Sequence, residues 1–360
     1  MPVVQVNVLD SPYAVTVEPG SLGRAGEVLR GLTKAPRVGV VTDDVVAPLH
    51  LPALRKSLAA SGFEPVVATV PAGERHKTLQ TISDIYDALL AAKIERSTPV
   101  IALGGGVVGD MAGFAAATVL RGVPFVQVPT TLLAMVDASV GGKTGIDHAV
   151  GKNLIGAFHQ PMAVVVDPEV LRTLSPRELR SGLAECIKHD VIRDAAHFET
   201  LQRSIPRALR LDAEYLAELI AHNVGIKAKV VSADPFERAD RAHLNFGHTF
   251  GHSIETVSNY RYAHGECVAL GMVAACRLAH RLGMLDAASV DRVIATIAAA
   301  ELPTGGLTLD VGAIVDGMIF DKKVKAGRVR FVLPDRIGHV VIRDDVPAEA
   351  VREVVESLRA

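Results

Sequence analysis

The sequence predicts an α/β domain built on a parallel sheet, followed by a mainly α-helical domain. Three observations carry that expectation. Strand and helix patterns alternate between Arg37 and Leu103, the order of a parallel sheet covered on both faces. β-rich runs then nearly stop after Asp167. Finally, Ser175-Pro176-Arg177-Glu178 combines a capping serine, proline at the first helical position and a glutamate three residues after the cap, so a helix opens there. A chain of 360 residues is also long for one core. The boundary is placed at Asp167 to Ser175, giving domains 1–174 and 175–360.

In chain order, Val3 to Val8 and Tyr13 to Val17 alternate apolar and polar residues around an Asp10-Ser11-Pro12 turn, which predicts a two-stranded start. Strands are expected at Val38–Thr42, Pro65–Val70, Pro99–Leu103, Phe125–Val128 and Ala163–Val166, with helices at Pro48–Ala60 and Thr78–Ala92. Beyond Ser175, helical patterns cover Asp194–Arg203, Asp212–Val231, Phe246–Val257, Glu266–Leu282 and Asp286–Ala299. Arg328–Leu333 and Gly338–Ile342 form one expected hairpin, and Pro347–Leu358 a closing helix.

Composition excludes several classes. A formal net charge of -2 and a pI near 6.7 leave no basic field to attract nucleic acid or anionic lipid, so neither is expected as a partner. The N-terminal residues lack the form of a secretory signal, and no uncharged apolar run reaches the ~20 residues that span a bilayer, so a cytoplasmic location is expected. Cys186, Cys267 and Cys276 are odd in number and lack Cys-x-x-Cys spacing, which predicts buried reduced thiols.

Gly104, Gly106 and Gly109 stand at Gly-x-Gly-x-x-Gly spacing, after the strand that ends at Leu103 and before a helix expected near Asp110. Glycines there let backbone amides approach a pyrophosphate at a helix N-terminus, where the dipole favours negative charge. The acidic residue expected about 20 positions later is absent, since that region reads Val128-Pro129-Thr130-Thr131. Two readings stay open, an atypical nucleotide site or a tight strand-to-helix turn. Asp137 to Thr144 ends like a Walker A loop, but Asp137 stands where its first glycine belongs and Gly145 where a helix should begin, which rejects a P-loop ATPase. The glycine-rich segment Asp137–Asn153, carrying Lys143 and Lys152, predicts a binding loop or a disordered one.

Glu185 and Lys188 lie one turn apart and oppose the stripe of Leu179, Leu183, Ile187 and Val191, so spacing alone predicts a solvated salt pair. In LNFGHTFGHSIE, from Leu244 to Glu255, the residues Phe246, Phe250 and Ile254, with Val257 beyond, make an apolar stripe. His248, His252 and Glu255 occupy the opposite face. Gly247 and Gly251 cost roughly 1 kcal/mol each in helix propensity, which predicts that something approaches the helix closely there. With His264-Gly265-Glu266 shortly after, the inventory suits a divalent transition metal or a solvated polar face. A His-Glu-x-x-His protease is unlike it, because Thr249 follows His248.

Taken jointly, GGGVVGDMAGFAAAT (104–118), RGVPFVQVPTTLLAMVDASVGGKTGID (121–147), GKNLIGAFHQP (151–161), SGLAECIKHDVI (181–192), LNFGHTFGHSIE (244–255) and HGE (264–266) resemble the 3-dehydroquinate synthases of the sugar phosphate cyclase family. The resemblance spans both domains in order. It implies an N-terminal NAD-binding α/β domain, a helical metal- and substrate-binding domain, an active site between them, and a homodimer. Zinc, or cobalt, is implied on Glu185, His248 and His264. NAD contacts are implied for Glu74, Lys77, Gly105, Gly106, Val107, Val108, Gly109, Asp110, Thr130, Thr131, Lys143, Lys152, Leu171 and Thr173. Substrate contacts are implied for Arg121, Asp137, Lys143, Asn153, Lys188, Lys227, Arg241, Asn245 and His252, with Lys322 or Lys323 added. Asp137, Lys143, Lys188, Asn245 and His252 form the implied catalytic set, with His252 as the proton relay.

The implied reaction converts 3-deoxy-D-arabino-heptulosonate 7-phosphate to 3-dehydroquinate and phosphate, in the shikimate pathway of aromatic amino acid biosynthesis. It runs through transient oxidation by NAD at C5, phosphate elimination, return of the hydride, ring opening and aldol closure. The cations then acquire a reason, since a nearly neutral protein must concentrate positive charge where a carboxylate and a phosphate sit. Competing readings are a sister cyclase making a valiolone or an inosose, a metal-dependent polyol dehydrogenase, whose uncharged substrate needs no cations, and a nucleotide-binding sensor. Cys186 and Cys267 stand beside implied ligands, where a thiol could compete for zinc, and are expected to be inert.

Overall fold

Valine-rich runs in the first half of the chain assemble a seven-stranded sheet. Its order is β1 (Val3–Val6), β2 (Tyr13–Val17), β9 (Ala163–Val166), β6 (Phe125–Pro129), β5 (Val100–Gly104), β3 (Arg37–Asp43) and β4 (Glu64–Val70). The computed structural model describes residues 2–8, 11–237, 240–319, 324–325 and 328–360, so Lys322 and Lys323 lie outside the described residues. Only β1 and β2 pair antiparallel; the remaining pairs of the sheet are parallel. Strands β5 and β6 are buried throughout, as parallel strands between helical layers must be. After β3 the chain adds β4 on one side and then β5, β6 and β9 on the other. The strand order therefore reverses between β3 and β5, where open α/β sheets bind ligands beyond the strand carboxyl ends.

Helices α1 (Ala25–Leu32), α2 (Ala47–Ala60), α3 (Leu79–Ala91) and α4 (Gly106–Thr118) complete the alternation. Thr78 caps α3 by accepting from the Thr81 N–H. Two details differ from expectation. The helix expected near Asp110 opens at Gly106, because extended Gly105 joins β5 to it with no further turn residue. The segment Asp137–Asn153 is ordered: after a π-helical turn at Ala134–Ala138, β7 (Lys143–His148) and β8 (Gly151–Phe158) pair as an antiparallel hairpin. Its glycines serve close packing, since a Cβ on Gly145 would stand 2.5 Å from the Ile155 carbonyl.

The chain divides into two compact units, residues 1–174 with 213–236, and residues 175–212 with 237–360. The second unit holds α5 (Pro176–Arg193), α6 (Ala195–Leu209), α8 (His248–Val257), α9 (His264–Arg281), α10 (Ala287–Ala299), α11 (Val311–Ile319) and α12 (Ala348–Glu356), with a hairpin of Phe331–Arg336 and His339–Arg343. Helix α7 (Ala213–Ala233), which the sequence groups with the helical half, packs along β1 and belongs to the first unit. A helical pattern shows that one face is buried, but not against which core. No helix among the described residues is long and apolar enough to cross a membrane.

Candidate functional site

In the first unit the candidate residues gather around the start of α4. Its first turn carries neither an acidic residue nor a side-chain cap, so the leading N–H groups, those of Gly106, Val107 and Val108 among them, remain available to an anion. The cradle is narrow. A Cβ on Gly105 would stand 3.1 Å from Thr131 Cγ2, and one on Gly106 3.3 Å from Ala138 Cβ. Gly109 serves a different end, because its Cβ would meet the Gln127 amide at 2.8 Å, and so it lets α4 lie close on β6. Thr130 continues the ladder by donating its N–H to the Gly104 carbonyl, while Thr131 Oγ1 accepts from Ala134 N–H. These features fit a dinucleotide phosphate.

A buried charge network flanks that turn. Lys77, 3% exposed, donates to Asp110 Oδ2 at 2.7 Å and to Asn153 Oδ1 at 2.5 Å, and lies 3.8 Å from Glu74, which also faces Lys152 at 3.5 Å. Burial alone would lower the Lys77 ammonium, but Asp110 and Glu74 outweigh it and hold the group above its ordinary value, so it stays charged. Asn153 sits in left-handed backbone, with its N–H on Asp147. Lys227 of α7 donates to both the carbonyl and Oδ1 of Asp137, at 2.5 and 2.7 Å. Lys143 opens β7 in an exposed position after Gly141 and Gly142, both at positive φ. Thr173 Oγ1 pairs with His50 Nε2 at 2.9 Å, and Leu171 is fully buried core whose carbonyl accepts from the Leu174 N–H. Arg121, by contrast, stands at the far end of α4 from Gly106, roughly 20 Å along the helix.

The neighbouring strand supplies residues that spacing did not single out. Asp43 ends β3 beside the glycine turn of β5, and Asp44 follows it; Asp43 caps the Val45 and Val46 N–H groups and Asp44 accepts from Ala72. An acidic group at the end of the adjacent strand is where dinucleotide folds hold a ribose. Here that strand precedes the glycine turn in sequence, so a search downstream of Gly109 misses it.

In the second unit, α5, α8 and α9 bring Glu185, His248 and His264 together, with one ligand atom of each within 4.8 Å of the others. Glycine makes this convergence possible. A side chain on Gly271 of α9 would collide with the Gly247 carbonyl, so the close approach predicted at Gly247 and Gly251 is that of another helix. Glu185 Oε1 stands 3.7 Å from His248 Nε2 and 3.5 Å from His264 Nε2. Donors around a tetrahedral zinc, at bonds of ~2.1 Å, lie about 3.4 Å apart, so the set fits zinc and leaves a fourth position open. The Phe246 carbonyl, 3.1 Å from His248 Nδ1, takes that hydrogen and aims Nε2 at the site.

Electrostatics agree with the chemistry. Burial and the nearby Lys188 push His248 well below its ordinary value, leaving the neutral imidazole that ligates metals. Burial opposes charge on His264 too, but Glu185 and Glu255 outweigh it, so the metal-free ring is pushed up to about 9. Glu185 and Lys188 form an ion pair, yet each is 1% exposed, which corrects the solvated pair that spacing predicts. Helix α5 is enclosed on all sides from Ser181 to Ile192, so the face opposite its apolar stripe is interior. The His252 ring lies 5.2 Å from that of His248. Arg241 is buried, and Asn245 donates to Glu237 at 3.2 Å. Burial pushes the Cys186 thiol well up, which keeps it protonated and a poor ligand. All three cysteines are buried, and none forms a disulfide.

Comparisons with known proteins match both halves. A family model described as the 3-dehydroquinate synthase N-terminal region covers residues 67–181, and one described as the C-terminal region covers residues 182–324. A 3-dehydroquinate synthase of Gloeobacter violaceus is 49% identical over 350 residues, 96% of each chain. Another, from Synechococcus sp., is 47% identical over 361 residues, covering 99% of this chain and 98% of the relative. Among solved structures, a 2-epi-5-epi-valiolone synthase from Streptomyces hygroscopicus subsp. jinggangensis with NAD+ and Zn2+ bound matches with a TM-score of 0.89 and 30% identity over 96% of each chain.

Proposed function

Because the chain belongs to the 3-dehydroquinate synthase family, we propose that it converts 3-deoxy-D-arabino-heptulosonate 7-phosphate to 3-dehydroquinate and phosphate, with NAD and a divalent metal, zinc or cobalt. The observation that carries this is the Glu185, His248 and His264 cluster, a three-ligand set with one position left over. Bound there and at the α4 N-terminus, metal and cofactor supply positive charge at one substrate oxygen and a reversible two-electron oxidation at its carbon.

The protein's own groups bind, orient and move protons. Glu74, Lys77, Asp110, Lys152, Thr130, Thr131 and Thr173, with the amides from Gly105 to Val108, are the proposed cofactor contacts, and Asp44 is added for a ribose hydroxyl. Proposed substrate contacts are Asp137, Lys143, Asn153 and Lys227 in the first unit, and Lys188, Arg241, Asn245 and His252 in the second. Charge-assisted donors suit an anionic substrate, since each balances a carboxylate or phosphate oxygen. His252 takes the substrate proton whose loss lets phosphate depart and passes it to the departing phosphate. Holding one molecule through several steps is chiefly positioning, which explains many binding groups and few dedicated acids. We further propose that the enzyme works as a cytoplasmic homodimer.

Incubation with the heptulosonate phosphate and a trace of NAD tests this. Phosphate should be released in large excess over NAD, with no net rise in NADH absorbance. NADH accumulating in step with product would indicate a polyol dehydrogenase, and no phosphate release would reject the proposal.

A further inference from the structure

Arg177, Ser181 and Glu185 follow one another at intervals of four on α5, so they share one face of that helix. Each meets the opening of α9. The Arg177 guanidinium grips both oxygens of Glu266, Nε to Oε1 at 2.8 Å and Nη2 to Oε2 at 2.6 Å, and Nη2 also donates to the Arg261 carbonyl at 2.9 Å. Glu266 in turn accepts from the Ala263 N–H at 2.8 Å, and Ser181 Oγ accepts from the Gly265 N–H at 2.9 Å. Two N–H groups that a helix start leaves without intrahelical partners are therefore held from within this frame. Only glycine fits at 265, because a Cβ there would collide with the Ser181 backbone. His264 stands inside the frame, with Nε2 3.5 Å from Glu185 Oε1.

We propose that Arg177, Ser181 and Glu266 are positioning residues for the metal. By pinning the first turn of α9 to the α5 face that bears Glu185, they set the separation of Glu185 and His264, and with it the affinity for a divalent cation. The inference rests on the ligand assignment made above. A bidentate guanidinium–carboxylate pair fixes direction as well as distance, and removing a group that orients a metal ligand costs about 10–100-fold in metal affinity.

The test is the zinc affinity of the purified full chain, stripped of metal and titrated in competition with a chromogenic chelator. The visible spectrum of the cobalt-loaded form gives a second readout. Arg177→Met, Arg177→Lys, Ser181→Ala and Glu266→Gln are compared with Arg343→Met, which removes a similar bidentate pair, to Asp345. Arg177→Met, Ser181→Ala and Glu266→Gln should weaken zinc by about 10–100-fold and alter the cobalt bands. Arg177→Lys should recover little, since an ammonium cannot span both oxygens, and Arg343→Met should change nothing. Melting of the metal-free chains separates this effect from loss of the fold; should Arg177→Met fail to melt cooperatively, the near-isosteric Glu266→Gln decides. Zinc affinity within about twofold of the parent in Glu266→Gln and any folded Arg177→Met overturns the inference, as does an equal loss in Arg343→Met. If His264→Ala also binds zinc normally, the ligand assignment itself fails.

Discussion

At Gly105 and Gly106 the first unit offers backbone amides, with its charged side chains paired at the flank of the turn, whereas around Glu185 the second unit hides its backbone and offers a carboxylate and two imidazoles. Glycine recurs in both places with opposite uses. At Gly105 and Gly106 it clears room for a ligand to reach the main chain. At Gly265 and Gly271 it lets helices touch, so that side chains from three of them meet at one point. The contrast teaches that a phosphate can be held by the shape of one turn, while a metal requires several elements to be held in register.

If the two regions divide the work this way, substitutions should separate cofactor from metal. The largest effect is expected for Glu185→Ala and His248→Ala. Losing several kcal/mol of charge stabilisation should lower phosphate release by about 10³-fold, with NAD affinity by calorimetry unchanged. Normal turnover in either variant would contradict the metal assignment. The converse substitution is Gly106→Val, whose side chain crowds Ala138. Overpacking of about 1–3 kcal/mol should weaken NAD by roughly 5–150-fold while zinc content stays at the parental level; parallel loss of zinc would blur the division. Lys143→Met sharpens it further, because a lost charge-assisted contact of about 1.5–3 kcal/mol should raise the substrate KM by roughly 10–150-fold and leave NAD binding nearly intact. Equal losses for both would assign the hairpin to the cofactor.

The smallest effect concerns pH. Burial disfavours charge on His264, but Glu185 and Glu255 outweigh it and hold the metal-free ring at about 9 against an unfolded value of 6.5. A raised folded value contributes stability that is complete below the unfolded pKa and disappears as pH rises through the folded one. The metal-free chain should therefore melt at progressively lower temperature between pH 6.5 and about 9, and zinc, which displaces that proton, should bind more tightly across the same window. A flat melting profile for the stripped chain would remove Glu185 and Glu255 as partners of His264.

Local physics made much of this legible in the chain. The Ser175 cap, the valine runs of β3, β5 and β6 and the stripe of α8 depend on near neighbours in sequence, and all appear where period and cap chemistry put them. What depends on tertiary neighbours was not legible. The pattern of α7 does not say which core it joins, and the glycines of β7 and β8 suggest looseness where they serve tight pairing. Within the metal cluster, His248 and His264 stand out by type, but Glu185 resembles a solvated partner of Lys188 until α8 and α9 enclose it. Only the family resemblance singles it out from sequence. Asp44 was hidden for a topological reason, since its strand comes earlier in the chain than the turn it flanks.

X-ray absorption on the zinc-loaded chain tests the central claim most directly. One zinc per chain is expected, ligated by nitrogen and oxygen alone at ~2.0–2.2 Å with an imidazole signature. A sulfur shell at ~2.3 Å would place Cys186 or Cys267 on the metal and contradict the Glu185, His248 and His264 site.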